Sequence, residues 1–288
     1  MTQQIEEQTA RQLLKGITIP PQPQIMVDLQ MEMATPKVCF DSIAAIISKD
    51  VGISGCVLKV VNSPFFGLPS QVISIQQALK LLGINNVVNI VNSLSIRGSL
   101  SDSSMLELTR FWDNAVDVAM ASAAIARLTG ISSADEAYTL GLFHNCGIPL
   151  LMMKHREYLT VLQRAYAQQQ QLITDVENSL IDTNHAIVGY YVAKAWKLPT
   201  YLAEAIADHH KTEAVFAEKF PCDKSKKNLL AILKLADTIC RTYKSLGKAE
   251  QDYEFDHSKN NLLLYLGLSE YDFEDLKAEL SDMGLGAV

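Results

Sequence analysis

The sequence predicts an all-α protein, and three observations carry that prediction. Apolar residues recur at i, i+3, i+4, i+7 along the chain, capping motifs precede many of those runs, and period-two alternation of useful length is absent. The 288 residues are 48% hydrophobic and 20% charged, enough to bury a large core and too apolar for a disordered chain. A net charge of −7 offers no broad basic face for a phosphate backbone, so nucleic acid is not an expected partner. The five cysteines show neither a C-x-x-C pair nor metal-finger spacing, and no apolar run reaches the roughly 20 residues that a membrane span needs. Without a signal-peptide pattern, a reducing cytoplasm is the expected compartment and no membrane segment is expected.

Residues 2 to 15 read as an amphipathic helix closed by Gly16. Pro20, Pro21 and Pro23 then force an extended entry into a helix ending near Ala34. Short helices follow over residues 41 to 49 and 53 to 61, where Ile43, Ile46, Ile47, Leu58 and Val61 can pack together. The loop Asn62-Ser-Pro-Phe-Phe-Gly-Leu-Pro-Ser70 has ordered-turn chemistry and two aromatics that are costly to leave in water. Ser74 and Gln77 match a capping box, Gly83 stops the helix they open, and Asn85, Asn89 and Asn92 form a polar stripe on the next one.

A long helix from residue 107 to Gly130 puts Ala115, Val118, Ala119, Ser122, Ala123 and Ala126 on one face, small enough for close packing. Ser133-Ala-Asp-Glu136 and Thr174-Asp-Val-Glu177 read as further capping boxes. In the central helix Ala137, Leu140, Gly141 and His144 keep the helical spacing, so an imidazole lies on the core stripe beside Asn145, and Gly147 and Pro149 end the helix. His185 shares an inner face with Val188, Gly189 and Val192, and His209 and His210 end the following helix. Lys224, Lys226 and Lys227 read as a solvated helix start. A long helix over residues 225 to 246 then sets Asp237 on an apolar side with Leu230, Leu233 and Cys240, and a buried carboxylate needs partners. Ser269-Glu-Tyr-Asp272 caps a final amphipathic helix.

The series Ile19-Pro-Pro, Ile47-Ser-Lys-Asp50, Val61-Asn-Ser-Pro64 and Ala78-Leu-Lys-Leu-Leu-Gly83 resembles the HDOD domain, a helical bacterial signalling module related to the HD superfamily of metal-dependent phosphohydrolases. The resemblance covers roughly residues 17 to 240. It implies a multi-helix HD-like bundle with an N-terminal helical subdomain packed against it. Residues 1 to 100 form the subdomain, 101 to 247 the bundle, and 248 to 288 a C-terminal helical extension. The ligand set it implies falls on Asn114, His144, Asn145, His185, His209 or His210, and Asp237. At two of these positions the residue has changed. Asn114 follows Phe111-Trp112-Asp113 where catalytic members would carry His, and Asn145 replaces the doublet aspartate that bridges two metals.

A neutral amide is a weak metal ligand and offsets no cationic charge, so a two-metal hydrolytic centre is not expected. There is no P-loop, G-x-S-x-G or H-E-x-x-H to supply other chemistry. The resemblance therefore implies a non-catalytic regulatory module that binds a signalling protein partner or a small ligand. Its histidines would form a buried hydrogen-bonded network, with no cofactor expected and homo-oligomerisation left open. The alternative is one divalent ion (Zn, Mn, Fe or Mg) at His144, His185, His209 and Asp237, in a phosphohydrolase or (cyclic di)nucleotide phosphodiesterase with an altered site.

Overall fold

The structure, a computed structural model, describes residues 13–14, 16–62, 66–100 and 106–285, and among these every regular element is helical. The helix expected over residues 2 to 15 falls almost wholly outside the described residues. The chain divides into two compact units, Pro20–Ser103 and a larger one of Met1–Ile19 with Ser104–Val288.

In the smaller unit, α1 (Gln24–Met33), α2 (Phe40–Ser48), α3 (Val51–Val61), α4 (Ile75–Leu82) and α5 (Ile84–Leu100) enclose a core in which Ile43, Ile47, Val57, Val61, Leu79 and Val87 are fully buried. Asp50 starts α3 by accepting a hydrogen bond from the Ile53 amide at 2.9 Å, which satisfies one of the free N–H groups of the first turn. Asn62 ties the end of α3 to the segment before α4. Its side-chain amide donates to the Val72 carbonyl and its oxygen accepts from the Val72 amide, both at 2.8 Å, so one residue closes the loop. Of that loop's two aromatics, Phe66 packs against the core, and Phe65 lies outside the described residues. Only half of the Ser74 capping box forms. Ser74 accepts from the Gln77 amide at 3.1 Å, but the Gln77 side chain accepts from Ile73, one residue before the cap.

The larger unit is built on α14 (Lys224–Ile239), whose residues 229 to 236 are all buried. A helix apolar on every side must be enclosed on every side. Around it pack α6 (Leu106–Thr129), α7 (Ala134–Phe143), α12 (Thr200–Asp208), α13 (Thr212–Phe216), α15 (Thr242–Ser245) and α16 (Tyr253–Leu266). Outside these lie α8 (Gly147–Lys154), α9 (Tyr158–Tyr166), α10 (Ile173–Ile181), α11 (His185–Ala195) and α17 (Glu270–Asp282). The small-residue face of α6 is buried as expected, and α7 approaches it so closely that a Cβ on Gly141 would lie 2.7 Å from the Ala119 Cα. No described helix is long and apolar enough to cross a membrane.

Five expectations are corrected. Gly147 and Pro149 open α8 instead of ending the previous helix, which stops at Phe143 and turns through residues 144 to 146. Pro149 is tolerated there because the first turn of a helix leaves its N–H groups without intrahelical partners. A Cβ on Gly147 would collide with the His185 carbonyl, so this glycine lets α8 meet the start of α11 backbone to backbone. The long helix over 225 to 246 breaks at Cys240, where Arg241 takes a left-handed φ of 53° before the short α15. Ser133 makes no side-chain cap, and the Glu136 carboxylate instead accepts from the Tyr201 hydroxyl at 2.7 Å. Thr174 and Glu177 cap nothing: α10 already starts at Ile173, and Glu177 points inward. Lys226 is not solvated, because its ammonium is buried against Asp208 at 2.6 Å, pinning the start of α14 to the end of α12.

Candidate metal centre

Helix ends of the larger unit deliver four histidines to one place. His144 is the C-cap of α7, and its Nδ1 donates to the Gly141 carbonyl at 2.6 Å. His185 is the first residue of α11, set by the Asn184 cap, whose oxygen accepts from Ile187 at 2.9 Å. His209 caps the C-terminus of α12 and donates from Nδ1 to the Ile206 carbonyl at 2.7 Å, and His210 follows in the turn. All four rings are buried.

The partners fix the tautomers. Carbonyls and carboxylates only accept, so each Nδ1 beside one carries the proton. His185 Nδ1 donates to Glu177 at 2.7 Å, and His210 Nδ1 donates to Glu254 at 2.7 Å. In the neutral rings, each Nε2 is then a bare lone pair. Yet His185 Nε2 lies 3.3 Å from His209 Nε2 and 2.9 Å from His210 Nε2, and the three ligand atoms fall within 4.8 Å of one another. Lone pairs that close need a shared proton or a cation between them. Tetrahedral zinc, with Zn–N of about 2.0 to 2.1 Å, holds its nitrogens about 3.3 Å apart, and the 2.9 Å and 3.3 Å separations here lie near that spacing.

Charge points the same way. The buried ammonium of Lys234 stands 3.0 Å from Asp252, 3.8 Å from Glu254 and 4.0 Å from Asp237, while the buried Glu177 pairs with His185 at 2.7 Å. Asp237, Glu177 and Glu254 also stand beside His144, His185 and His210, so a proton or a metal ion held among the imidazoles would offset buried negative charge, which is expensive to leave uncompensated. Burial alone would strip the proton from Lys234, but Asp252, Glu254 and Asp237 hold it on. Burial likewise opposes ionisation of Asp237, yet the neighbouring His144 and Lys234 keep its carboxyl down at about 2. Glu254 also stays ionised: burial works against it, and His210 and Lys234 outweigh burial. His209 is held neutral, its value pushed well below the ordinary imidazole range by burial and then by His210, His185 and His144. A neutral imidazole is the form that binds metal.

The other expected site residues are not members of this trio, although the His144 ring packs edge-on against His209 with centroids 5.3 Å apart. His144 Nε2 and Asp237 Oδ1 face each other at 3.5 Å, and neither atom has a hydrogen-bond partner. Asn145 is buried, and its side-chain oxygen is unpartnered. Asn114 is occupied elsewhere: its amide donates to the Cys240 carbonyl at 3.2 Å and its oxygen accepts from Thr242 at 3.1 Å, clamping α6 to the break between α14 and α15. Three residues that matter did not stand out in the sequence. Glu177 was taken up by an apparent cap, Glu254 sits in the C-terminal segment, and Lys234 occupies an otherwise apolar helix. Tyr158 also donates to Glu177, which fixes that carboxylate against His185.

An all-helical bundle with histidines converging from helix ends defines an HD-like protein. The HDOD domain profile matches residues 19–212, and the chain belongs to the HDOD domain family. An uncharacterised protein of Treponema pallidum is 28% identical over 193 residues; the match covers 67% of this chain and 37% of that relative's length. The crystal structure of an HDOD domain protein of unknown function from Geobacter sulfurreducens superposes with a TM-score of 0.71 at 23% identity, covering 94% of this chain and 92% of the other. A protein from Shewanella amazonensis, provisionally named a phosphohydrolase, superposes with a TM-score of 0.66 at 21% identity over 93% of both chains. At such identities the two structures establish the shared fold.

Proposed function

We propose that this chain is a regulatory HDOD module that binds a signalling partner, holds one divalent transition metal at His185, His209 and His210, and does not hydrolyse phosphoesters. The observation that carries the reading is the convergence of three Nε2 lone pairs whose Nδ1 protons are all committed to acceptors. Outer acceptors of this kind orient histidine ligands and raise their basicity. When bound, the ion would join the start of α11 to the end of α12 and act as a Lewis acid at any open position. Asn145 supports the non-hydrolytic part, because it cannot supply the anionic bridge that a two-metal phosphohydrolase centre requires.

The Shewanella protein's name raises hydrolysis as a second reading, and three imidazoles with a free fourth position also describe catalytic zinc sites. One experiment separates the two. Purified protein is assayed for metal content, and turnover of bis(p-nitrophenyl) phosphate and cyclic dinucleotides is measured with added Mn, Fe or Zn. The regulatory reading expects one metal per chain, lost in His185→Ala, and turnover at background. Metal-stimulated turnover abolished by His144→Ala would establish the phosphohydrolase instead.

A further inference from the structure

We infer that the C-terminal segment beyond the family match completes the metal centre, with Glu254 as the positioning residue that aims His210, so that metal binding and docking of α16 are linked. This rests on the single-metal reading above. Two of the three converging imidazoles are oriented from within residues 19–212, His185 by Glu177 and His209 by the Ile206 carbonyl. The third is not. His210 lies just past the end of α12, in a turn, and the acceptor for its Nδ1 comes from Glu254 on α16. Among the described residues, Glu254 is the acceptor that fixes which nitrogen of His210 carries the proton and which way the ring faces.

Glu254 is itself held for the task. One of its oxygens accepts from the Ile173 amide at 3.4 Å, and the other stands 3.8 Å from the Lys234 ammonium. The start of α16 is fixed one residue earlier by Asp252. Its carboxylate accepts from the Phe255 amide at 3.0 Å, from Lys234 at 3.0 Å and from the Thr238 hydroxyl at 2.7 Å. The run from α14 through Asp252 and Glu254 to His210 is therefore continuous, and anything that pins His210 pins the first turn of α16 as well. By linkage, an ion that binds His210 in this orientation must favour the docked α16, and a docked α16 must favour the ion.

The test uses full-length protein stripped of metal with a chelator. Zinc affinity is measured by competition with a chromophoric chelator, the ligand field is read from cobalt(II) absorption, and hydrogen exchange is followed over α16 with and without zinc. Glu254→Ala removes the acceptor and should weaken zinc binding about 10- to 100-fold with an altered cobalt spectrum, the range typical for loss of such an outer partner. Glu254→Gln keeps an acceptor oxygen at the same reach and should lose less. Zinc should slow exchange in the first turns of α16 of the unaltered protein. An alanine variant with unchanged zinc affinity and cobalt spectrum, whatever its melting temperature, would overturn the inference and leave the single-metal reading standing. Absence of zinc binding by the unaltered protein would overturn both. If the alanine variant does not fold, exchange over α16 that ignores zinc in the unaltered protein overturns the inference by itself.

Discussion

Single residues decide what this site can and cannot do, and their effects differ in sign. Asn145 puts a buried neutral amide where the family resemblance implies a bridging carboxylate, while Asn114 is engaged at a helix joint by Cys240 and Thr242. Asp117, one turn beyond Asn114, shows how burial registers in stability. Its carboxyl is pushed up from 3.8 to about 6, mainly by burial and then by Asp113 on the same helix. Between those two values the folded state binds the proton that the unfolded state releases, so stability falls as pH rises through that window. Asp117→Asn should therefore stabilise the protein by about 1 to 2 kcal/mol at pH 8 and leave it unchanged near pH 4, as read from urea midpoints at the two pH values. A gain that is equal at both would show that Asp117 ionises normally. The histidines were legible in the sequence because helical spacing places them among apolar neighbours. Glu177 and Glu254 were not, because a carboxylate near a helix start has an ordinary explanation in capping, and only tertiary structure shows it turned inward.

At the level of elements, the order of helices follows from local signals, and the misplaced boundaries share one cause. Asp50, Asn184, Asp223 and Ser269 cap through their side chains, each a short polar residue immediately before its helix. Ser133 and Thr174 fit the same pattern in the sequence and cap nothing: Thr174 already lies inside α10, and the glutamate three residues after each is engaged elsewhere in the fold. Gly147 likewise reads as a helix stop, since the sequence cannot show that α11 lies against it. In the smaller unit the Asn-Ser-Pro motif has a mechanical role through Asn62, whose two bonds to Val72 close the loop between α3 and α4. Asn62→Ala leaves both Val72 groups short of a partner and should cost about 1 to 3 kcal/mol, measured by chemical denaturation. Asn62→Asp keeps only the accepting half and should recover part of that loss. An alanine variant as stable as the original would mean that water replaces the clasp.

For the whole molecule, the family match and the charge distribution do not share a boundary. The match ends at residue 212, whereas Lys234, Asp237, Asp252 and Glu254, which set the electrostatics of the histidine cluster, all come later. The N-terminal unit Pro20–Ser103 has its own core, and the larger unit brings the family's histidines and the C-terminal carboxylates into one buried, polar interior. Among the described residues, His185, His209 and His210 are the group whose ligand atoms converge closely enough to hold a metal ion. The most direct check is an anomalous difference map at the zinc edge from crystals of the full chain grown with equimolar zinc. A single peak per chain, about 2.0 to 2.1 Å from Nε2 of His185, His209 and His210, is the predicted result. No peak, a peak on Asp237 instead, or two peaks bridged across Asn145 would contradict it.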